Sequence, residues 1–427
     1  MNWREVLEIR GPHIGGAVSG GLDSCTITHW LSEKGFRVEG FTVDLGQPDE
    51  ENVGAIADRM LACGAEAAHI VSGKEALVRE GIRVIQAQAR YEGGYWNTTG
   101  IARPVTTKAI LDEMAKRDIP VLFHGATGRG NDQMRFQLAT NFLAPDVDVY
   151  APWRDNEFLE QFPGRAEMIE YCESNNLPIR PAKESRYSTD ANILGLTHEA
   201  GDLEDVGIPP FFVEPGMGLW AWDAPDTPQS VSIRFEEGQP VEFDGVKMDP
   251  VAMFEKANAR GGAHGVGIGL HAIENRFVGV KSRGIYEAPG MELLGRAYEY
   301  LIQFVYDRRT REQFDALSRH LSAQIYEGYW LDLSTHSALA ALDSMSKLAT
   351  GTITIRLYKG NVYFETADVS RSSMPHGLYT SASSMEDTSG EGAAEPQYDH
   401  ESSEGFAQVI QVHARTVGKR QRGGYAK

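Results

Sequence analysis

Ser19-Gly20-Gly21-Leu22-Asp23-Ser24 puts the groups of an anion site on consecutive residues. Apolar Ile14 precedes it and Ile27, Trp30 and Leu31 follow on one side, which predicts a strand, a glycine turn and a helix start. Paired glycines allow positive φ and close approach to a ligand, and the free amides of a first helical turn form a positive pocket. Ser19 and Ser24 add hydroxyl donors, and Asp23 could hold a Mg²⁺ that shares phosphate charge. The lysine-bearing phosphate loop, G-x-x-x-x-G-K followed by Ser or Thr, occurs nowhere in the chain. The chemistry left is the holding of pyrophosphate by amides and hydroxyls. The same residues would also make a tight strand-to-helix turn with no ligand.

A second glycine loop, His124-Gly-Ala-Thr-Gly-Arg-Gly-Asn-Asp-Gln-Met-Arg135-Phe136, again follows a strand (120–123) and precedes a helix. It should therefore lie beside the first on one sheet edge. Asn131 offers a donor and an acceptor, Asp132 an anion and Arg135 a bidentate cation, a set suited to a zwitterion. Between the loops, Tyr91 to Pro104 is rich in aromatics, hydroxyls and glycine. It reads either as an ordered surface loop or as Tyr95, Thr99 and Arg103 projecting over a site, with a helix following over 105–116.

These loops need a framework. Strands are expected at 37–44 and 67–71, with Asp49 capping a helix over 50–61. Strands separated by helices of this length imply a parallel sheet covered on both faces, with ligands at the strands' carboxyl ends. Pro178 and Pro181 mark the crossing to a second domain. There, Ser188-Thr-Asp190 reads as a capped turn, Thr197-His-Glu199 as a polar cluster, and 231–243 as a hairpin. A helix is expected from Asp249-Pro250 to about 259. The segments 273–277 and 281–287 read as a solvated helix face or a cleft wall, 291–330 as mostly helical, and 352–364 as a last hairpin. Gly265-x-Gly267-x-Gly269 has no strand before it, which discounts a dinucleotide site. Ser370 to Glu404 has a linker's composition, and Phe406 to Arg415 could form a short helix before the basic end Gly418 to Gly424.

The chain of 427 residues is long enough for two domains and an appendage. A net charge of −19 argues against nucleic acid and anionic membranes as partners. No apolar run is long enough to span a bilayer, and the first residues do not read as a signal peptide. Three widely spaced cysteines, Cys25, Cys63 and Cys172, rule out a disulfide scaffold or four-cysteine zinc site and fit a reducing cytoplasm.

The Ser-Gly-Gly-Leu-Asp-Ser string resembles the pyrophosphate loop of ATP pyrophosphatases, which cleave ATP to AMP and pyrophosphate. Further along lie Asp44-Leu-Gly-Gln47, Ala102-Arg-Pro104, His124 to Phe136, Ala151-Pro-Trp-Arg154, Tyr187-Ser-Thr-Asp190, His198-Glu-Ala-Gly201, Glu274-Asn-Arg-Phe277 and Lys281 to Pro289. In this order over residues 12–370, the set resembles the argininosuccinate synthase family, which joins citrulline and aspartate. The resemblance implies an α/β chain with an ATP pyrophosphatase-type parallel-sheet domain (1–176) and an α+β synthetase domain (177–369). A flexible linker (370–404) and a C-terminal oligomerisation tail (405–427) would complete it.

The resemblance also implies site residues. ATP falls to Ala17, Val18, Ser19, Gly20, Gly21, Leu22, Asp23, Ser24, Cys25, Val43, Gly125 and Asp190. Aspartate falls to Thr99, Thr127, Asn131 and Asp132. Citrulline falls to Tyr95, Asn131, Arg135, Ser188, Thr197, Glu199, Glu274 and Tyr286. Ser19, Asp23 and Asp132 are the expected catalytic positions; Mg²⁺ would arrive with ATP rather than at a protein-built site. A cytoplasmic homotetramer is implied as well.

The family loop usually ends Asp-Thr-Ser, and here it reads Asp23-Ser24-Cys25, a weak donor for a good one. Gly100 stands where some members have a serine, and Val43 where alanine is usual. Two other readings follow from these departures: an adenylating ligase with a different ureido or amine substrate, and a non-catalytic ligand-binding relative. The related thiolation enzymes of transfer RNA are disfavoured by the acidic charge and the missing cysteine pair.

Overall fold

A computed structural model describes residues 1–50, 52–128, 130–179, 186–269, 272–369 and 400–421. The chain divides into two compact units, Met1–Gly377 and Leu378–Lys427.

The first unit starts with α1 (Trp3–Arg10), closed by a reciprocal Asn2–Glu5 capping box. A fully parallel sheet follows: β1 (His13–Ala17), β2 (Arg37–Asp44), β3 (Ala67–Ser72), β4 (Val121–His124) and β5 (Asp148–Tyr150), in the order β3-β2-β1-β4-β5. The strand order reverses between β1 and β4, and there the crevice beyond the carboxyl ends takes ligands. Both glycine loops leave this point, with Ala17 paired to His124 in register. The adjacency expected of the loops is what the sheet delivers. Close approach of the strands requires Gly16, because a Cβ there would sit 2.0 Å from the Phe123 ring.

The connecting helices are α2 (Leu22–Glu33), α3 (Gly54–Ala62), α4 (Lys74–Ala87), α5 (Thr98–Ala115) and α6 (Asp132–Leu143), followed by α7 (Asn156–Gln161) and α8 (Arg165–Ser174). Two of these differ from expectation. α3 starts at Gly54, and Asp49 accepts a hydrogen bond from the Thr189 hydroxyl instead of capping it. α5 starts seven residues before Val105 and runs through Pro104, because Thr98, Thr99, Gly100, Ile101 and Ala102 are buried and packing outweighs the proline's penalty.

An antiparallel sheet, β11-β12-β7-β6, comprises β6 (Ser188–Asn192), β7 (Gly195–Glu199), β11 (Ile273–Asn275) and β12 (Lys281–Glu287). Ser188 to Asp190 is thus strand rather than capped turn, and the two charged segments around Glu274 and Tyr286 are strands rather than a helix face. In the first the period is two, with Glu274 buried between exposed Ile273 and Asn275, whereas residues 283–287 of the second are buried without a break. A second antiparallel sheet contains β8 (Gln229–Glu236), β9 (Gln239–Phe243), β10 (Val246–Lys247), β13 (Gly351–Tyr358) and β14 (Asn361–Asp368), in the order β10-β9-β8-β13-β14. Both expected hairpins are in it.

Helices α9 (Pro250–Ala263), α10 (Pro289–Val305), α11 (Arg308–Glu327) and α12 (Leu333–Ser346) complete this unit. The expected 291–330 helix is broken at Asp307, whose carboxylate accepts from the amides of Arg309 and Thr310. α12, capped by Asp332, has no counterpart in the sequence reading. One core joins Phe41, Val43 and Leu122 of the parallel sheet to Ile233 and Ile353 of the larger antiparallel one through Leu294, Leu301 and other residues of α10. The opposite face of the parallel sheet carries a separate core with Ile14, Ile27, Trp30 and Phe123.

The described part of the second unit is α13 (His400–Gln421), longer at both ends than the expected 406–415. It takes in residues 400–404, which the composition had assigned to the linker. Residues 370–399, and with them most of the linker, lie outside the described residues, as do Pro181 and the basic end beyond Gln421.

Candidate active site

The first loop has the form its sequence calls for. Gly20 has φ +72°, Gly21 caps α2 without a side-chain bond, and the first amides of the helix are left for a ligand. Ser19 and Gly21 are exposed, while Ser24 is buried. The Ser24 hydroxyl accepts from the Ser19 amide at 3.0 Å and so holds the loop's shape. Behind it, Arg59 Nη1 donates to the Gly20 carbonyl at 2.8 Å.

Cys25 does not face this pocket. Its amide bonds to Gly21 O within α2, and its thiol lies in the core against Gly20 O and beside Cys63. Neither group is offered to a ligand, because position 25 falls on the inward face of α2. Val18 and Val43 are likewise core side chains at strand ends.

Next to the loop lies a cavity of about 260 Å³. Its walls bring together thirteen of the expected positions: Asp23, Tyr95, Thr99, Gly125, Thr127, Asn131, Asp132, Arg135, Asp190, Thr197, Glu199, Glu274 and Tyr286. Ala17 to Leu22, Ser24, Cys25, Val43 and Ser188 are not in its wall. Ser188 is exposed, opposite Glu199 on β6.

Register explains much of this grouping. Asp190, Thr197 and Tyr286 stand in one row across β6, β7 and β12, with Glu199 and Gly284 in a neighbouring row. Thr197 and Glu199 are two apart and share a face, while His198 points the other way. There it pairs with buried Glu287, which also accepts from the amides of Gly216 and Met217 and ties that loop to the back of the sheet. Gly284 leaves room for Tyr286, whose Oη would be 2.9 Å from a Cβ at that position.

At the centre, Asp132 is gripped by two guanidinium groups. Arg103 donates Nε and Nη2 to Oδ2 at 2.9 and 2.7 Å, and Arg135 donates Nη1 to Oδ1 at 2.8 Å. Arg103 also bonds Asp190. Burial alone would raise the Asp132 carboxyl, but the two cations outweigh it and hold it at about 2. Arg135 further donates Nε and Nη2 to the Tyr326 carbonyl at 2.9 and 2.6 Å, leaving one hydrogen on each Nη for a ligand.

The carboxyl groups with weaker support move the other way. Burial raises Asp23 and Asp190. Burial, opposed by Arg276 and reinforced by Asp132, Asp190 and Glu274, pushes Glu199 up to about 7. Three polar atoms in the wall are buried without a partner: Thr197 Oγ1, Glu274 Oε2 and Tyr326 Oη. Buried polar atoms are normally satisfied, so these mark where ligand groups belong.

Ala126, Gly130, Arg276 and Tyr326 line the cavity too and were missing from the expected set. Arg276 stood inside the matched Glu274 to Phe277 string and could have been found. Tyr326 had no such signal, since it comes from the end of α11. Arg103 was read as projecting over a site, and its place is as a clamp on Asp132 and Asp190.

Both halves of the chain match one family. The arginosuccinate synthase N-terminal HUP domain matches residues 14–178, and the arginosuccinate synthase C-terminal domain matches residues 187–417. The chain belongs to the argininosuccinate synthase family. A relative named argininosuccinate synthase, from Rhodopirellula baltica, is 37% identical over 405 residues, covering 94% of this chain and 97% of its own. As a family member the chain is a ligase, and its parallel sheet is the HUP domain. Two solved structures align only weakly. The U34-tRNA thiolase NcsA of Methanococcus maripaludis aligns with a TM-score of 0.28 at 14% identity, over 42% of this chain and 64% of its own. A predicted tRNA methyltransferase subunit of Methanocaldococcus jannaschii aligns at 0.25 and 11%, over 38% and 88%. Likenesses this slight carry no argument. The family match, by contrast, spans the cavity and both loops.

Proposed function

We propose that this chain joins citrulline and aspartate to argininosuccinate in arginine biosynthesis, cleaving ATP to AMP and pyrophosphate. The observation that carries the reading is the shared cavity, in which Asp23 from the first loop faces Thr127, Asn131 and Asp132 from the second and the charged row from β6, β7, β11 and β12.

In the first step the ureido oxygen of citrulline attacks the α-phosphorus of ATP, forming citrullyl-AMP and releasing pyrophosphate. The Ser19 hydroxyl and the amides opening α2 hold the departing charge, a preorganised site that needs no rearrangement. In the second step the aspartate amine attacks the ureido carbon and AMP leaves. Thr99, Thr127, Asn131 and Asp132 position aspartate; Tyr95, Arg135, Thr197, Glu199, Glu274 and Tyr286 position citrulline, so that the three reactants meet in one orientation. The amine must lose a proton, and Glu199, titrating near 7 in the same cavity, is the group suited to take it.

Among the described residues no cluster of three His, Cys, Asp or Glu could hold a metal. The fit is to Mg²⁺ carried by the nucleotide, with Asp23 as the carboxylate that the first loop itself offers, and the ion would neutralise charge on pyrophosphate. We further propose a cytoplasmic homotetramer. Its support is that α13 exposes Phe406, Val409, Ile410 and Val412 and that no described helix is long and apolar enough to cross a membrane.

The test is pyrophosphate release from ATP, Mg²⁺ and citrulline with and without aspartate, with mass detection of argininosuccinate. Aspartate-dependent product is expected. Citrulline-dependent exchange of pyrophosphate into ATP without product would instead favour another amine.

A further inference from the structure

Residues 201–228 run from the end of β7 towards β8 with no strand of their own, and two buried charged groups of β12 hold them. Arg283, 9% exposed, donates to the carbonyls of Leu203, Ile208 and Asp202 at 2.6, 2.8 and 3.4 Å. Glu287 accepts from the amides of Gly216 and Met217 at 2.9 and 2.7 Å. Backbone anchored at this many points presents its side chains in fixed positions, so a partner need not order them on binding.

What the segment presents to solvent is aromatic. Phe211 and Trp222 are 62% and 56% exposed. Trp222 stacks on Trp220 at 4.8 Å and 10°, and the Trp220 indole donates to the Val213 carbonyl at 3.0 Å. Phe211 stands edge-on to both rings, 5.3 Å from Trp222 and 6.0 Å from Trp220. Large apolar side chains exposed together in this way mark an interaction surface.

Charge narrows the partner. Between 201 and 228 stand six carboxylates, Asp202, Glu204, Asp205, Glu214, Asp223 and Asp226, and no lysine, arginine or histidine. The same face of a second copy would be repelled, whereas a cationic segment would be drawn in. The chain itself shows the chemistry that suits this surface. Arg186 lies over the Phe212 ring at 3.8 Å while its Nε donates to Asp202 at 2.6 Å, an aromatic face and a carboxylate sharing one guanidinium. Phe211 and Trp222 repeat that pairing in the open, with exposed Glu214 three residues after the one and exposed Asp223 next to the other.

We propose that residues 201–228 form a docking surface for an arginine-bearing segment of another protein, its guanidinium groups stacking on Trp222 and Phe211 and pairing with Asp223 and Glu214. Arginine suits the surface better than lysine, because its planar and weakly hydrated head stacks on a ring while it pairs with a carboxylate. The inference is separate from the citrulline reading, since none of these residues lines the cavity.

The experiment titrates the full chain by calorimetry with octa-arginine and with octa-lysine, peptides of equal charge. Salt at about 150 mM screens the long-range attraction that any polycation feels for a chain of net charge −19. Octa-arginine is expected to bind about 5- to 30-fold more tightly, the range of two exposed cation–ring contacts. Combining Phe211→Ser with Trp222→Ser should bring octa-arginine down to the affinity of octa-lysine, with turnover and oligomeric state as in the wild type. Combining Glu214→Gln with Asp223→Asn, which disturbs no ring, should weaken both peptides alike and tests the surface even if the serine variant misfolds. Equal affinities for the two peptides in the wild type, an undiminished preference in the serine variant, or octa-arginine binding unchanged in the amide variant would overturn the proposal. A change of oligomeric state in the folded serine variant would overturn it too, by assigning this face to copies of the chain itself.

Discussion

The two ends of the site recognise charge by different means. At the first loop, Ser19 to Ser24, the groups offered are backbone amides and short hydroxyls on one contiguous stretch, and no charged side chain but Asp23 reaches the cavity beside it. At the far end, Asp132, Asp190, Glu199 and Glu274 are set against Arg103, Arg135 and Arg276, drawn from α5, α6, β6, β7 and β11 and its flank. Amides at a helix start suit a polyanion whose identity is fixed and whose charge must be matched without exact side-chain geometry. Two amino acids that differ in a few atoms need side chains placed individually, and the cost is a buried ionic network that stands only while every member is paired.

The sharpest test of that contrast is to unpair the network. Arg103→Met leaves Asp190 without its cation and halves the grip on Asp132, and should destabilise the protein by about 3–5 kcal/mol as a broken buried pair does. Thermal melting would show it, with turnover lost as well. A drop below about 1 kcal/mol would mean that solvent already screens these groups, in the range of a surface bridge.

A change at the first loop should act locally. Gly20→Ala puts a Cβ at positive φ and 2.5 Å from Arg59 Nη1, a strain of about 1–2 kcal/mol. The KM for ATP should rise several-fold while those for citrulline and aspartate stay within about twofold, measured by varying each substrate in turn. Equal changes in all three would erase the distinction between the two ends.

Glu199 gives the amino-acid end a pH signature near neutrality. Its folded pKa, about 7, lies above the ordinary carboxylate value, so between roughly pH 4.5 and 7 the native state binds more protons than the unfolded one. Its contribution to stability is therefore present at low pH and lost as pH rises through 7. Glu199→Gln should flatten this part of the stability profile and remove a rise in kcat/KM centred near pH 7, while the pH dependence of nucleotide binding should not move.

The smallest effect belongs to Cys25→Ser. Because the thiol is in the core, the substitution should cost about 1 kcal/mol through a buried hydroxyl and leave the KM for ATP within about twofold. A tenfold change in ATP affinity would place position 25 in the site after all. The weak-donor argument for a non-catalytic relative loses its footing once the side chain is seen to point inward.

What the sequence determined by itself is everything carried by neighbours along the chain: the glycine loops and the strand before each, the alternation of the 231–243 hairpin, and the parallel arrangement with both loops at one edge. Asp132 and Arg135 could be matched to an amino acid because they lie three apart on one helical turn. Tertiary structure decided the rest. The segments carrying Glu274 and Tyr286 read as a solvated helix face or a cleft wall, and the choice between the two fell to the pairing of β7 with β12, which turns both side chains into the cavity. α5 extends through Pro104 because burial of its first turn outweighs a local penalty. Tyr326 comes 231 residues after Tyr95, its neighbour in a buried tyrosine cluster, by subtraction of their numbers. Side-chain pairing over such separations is set by packing and register, and no local pattern encodes it.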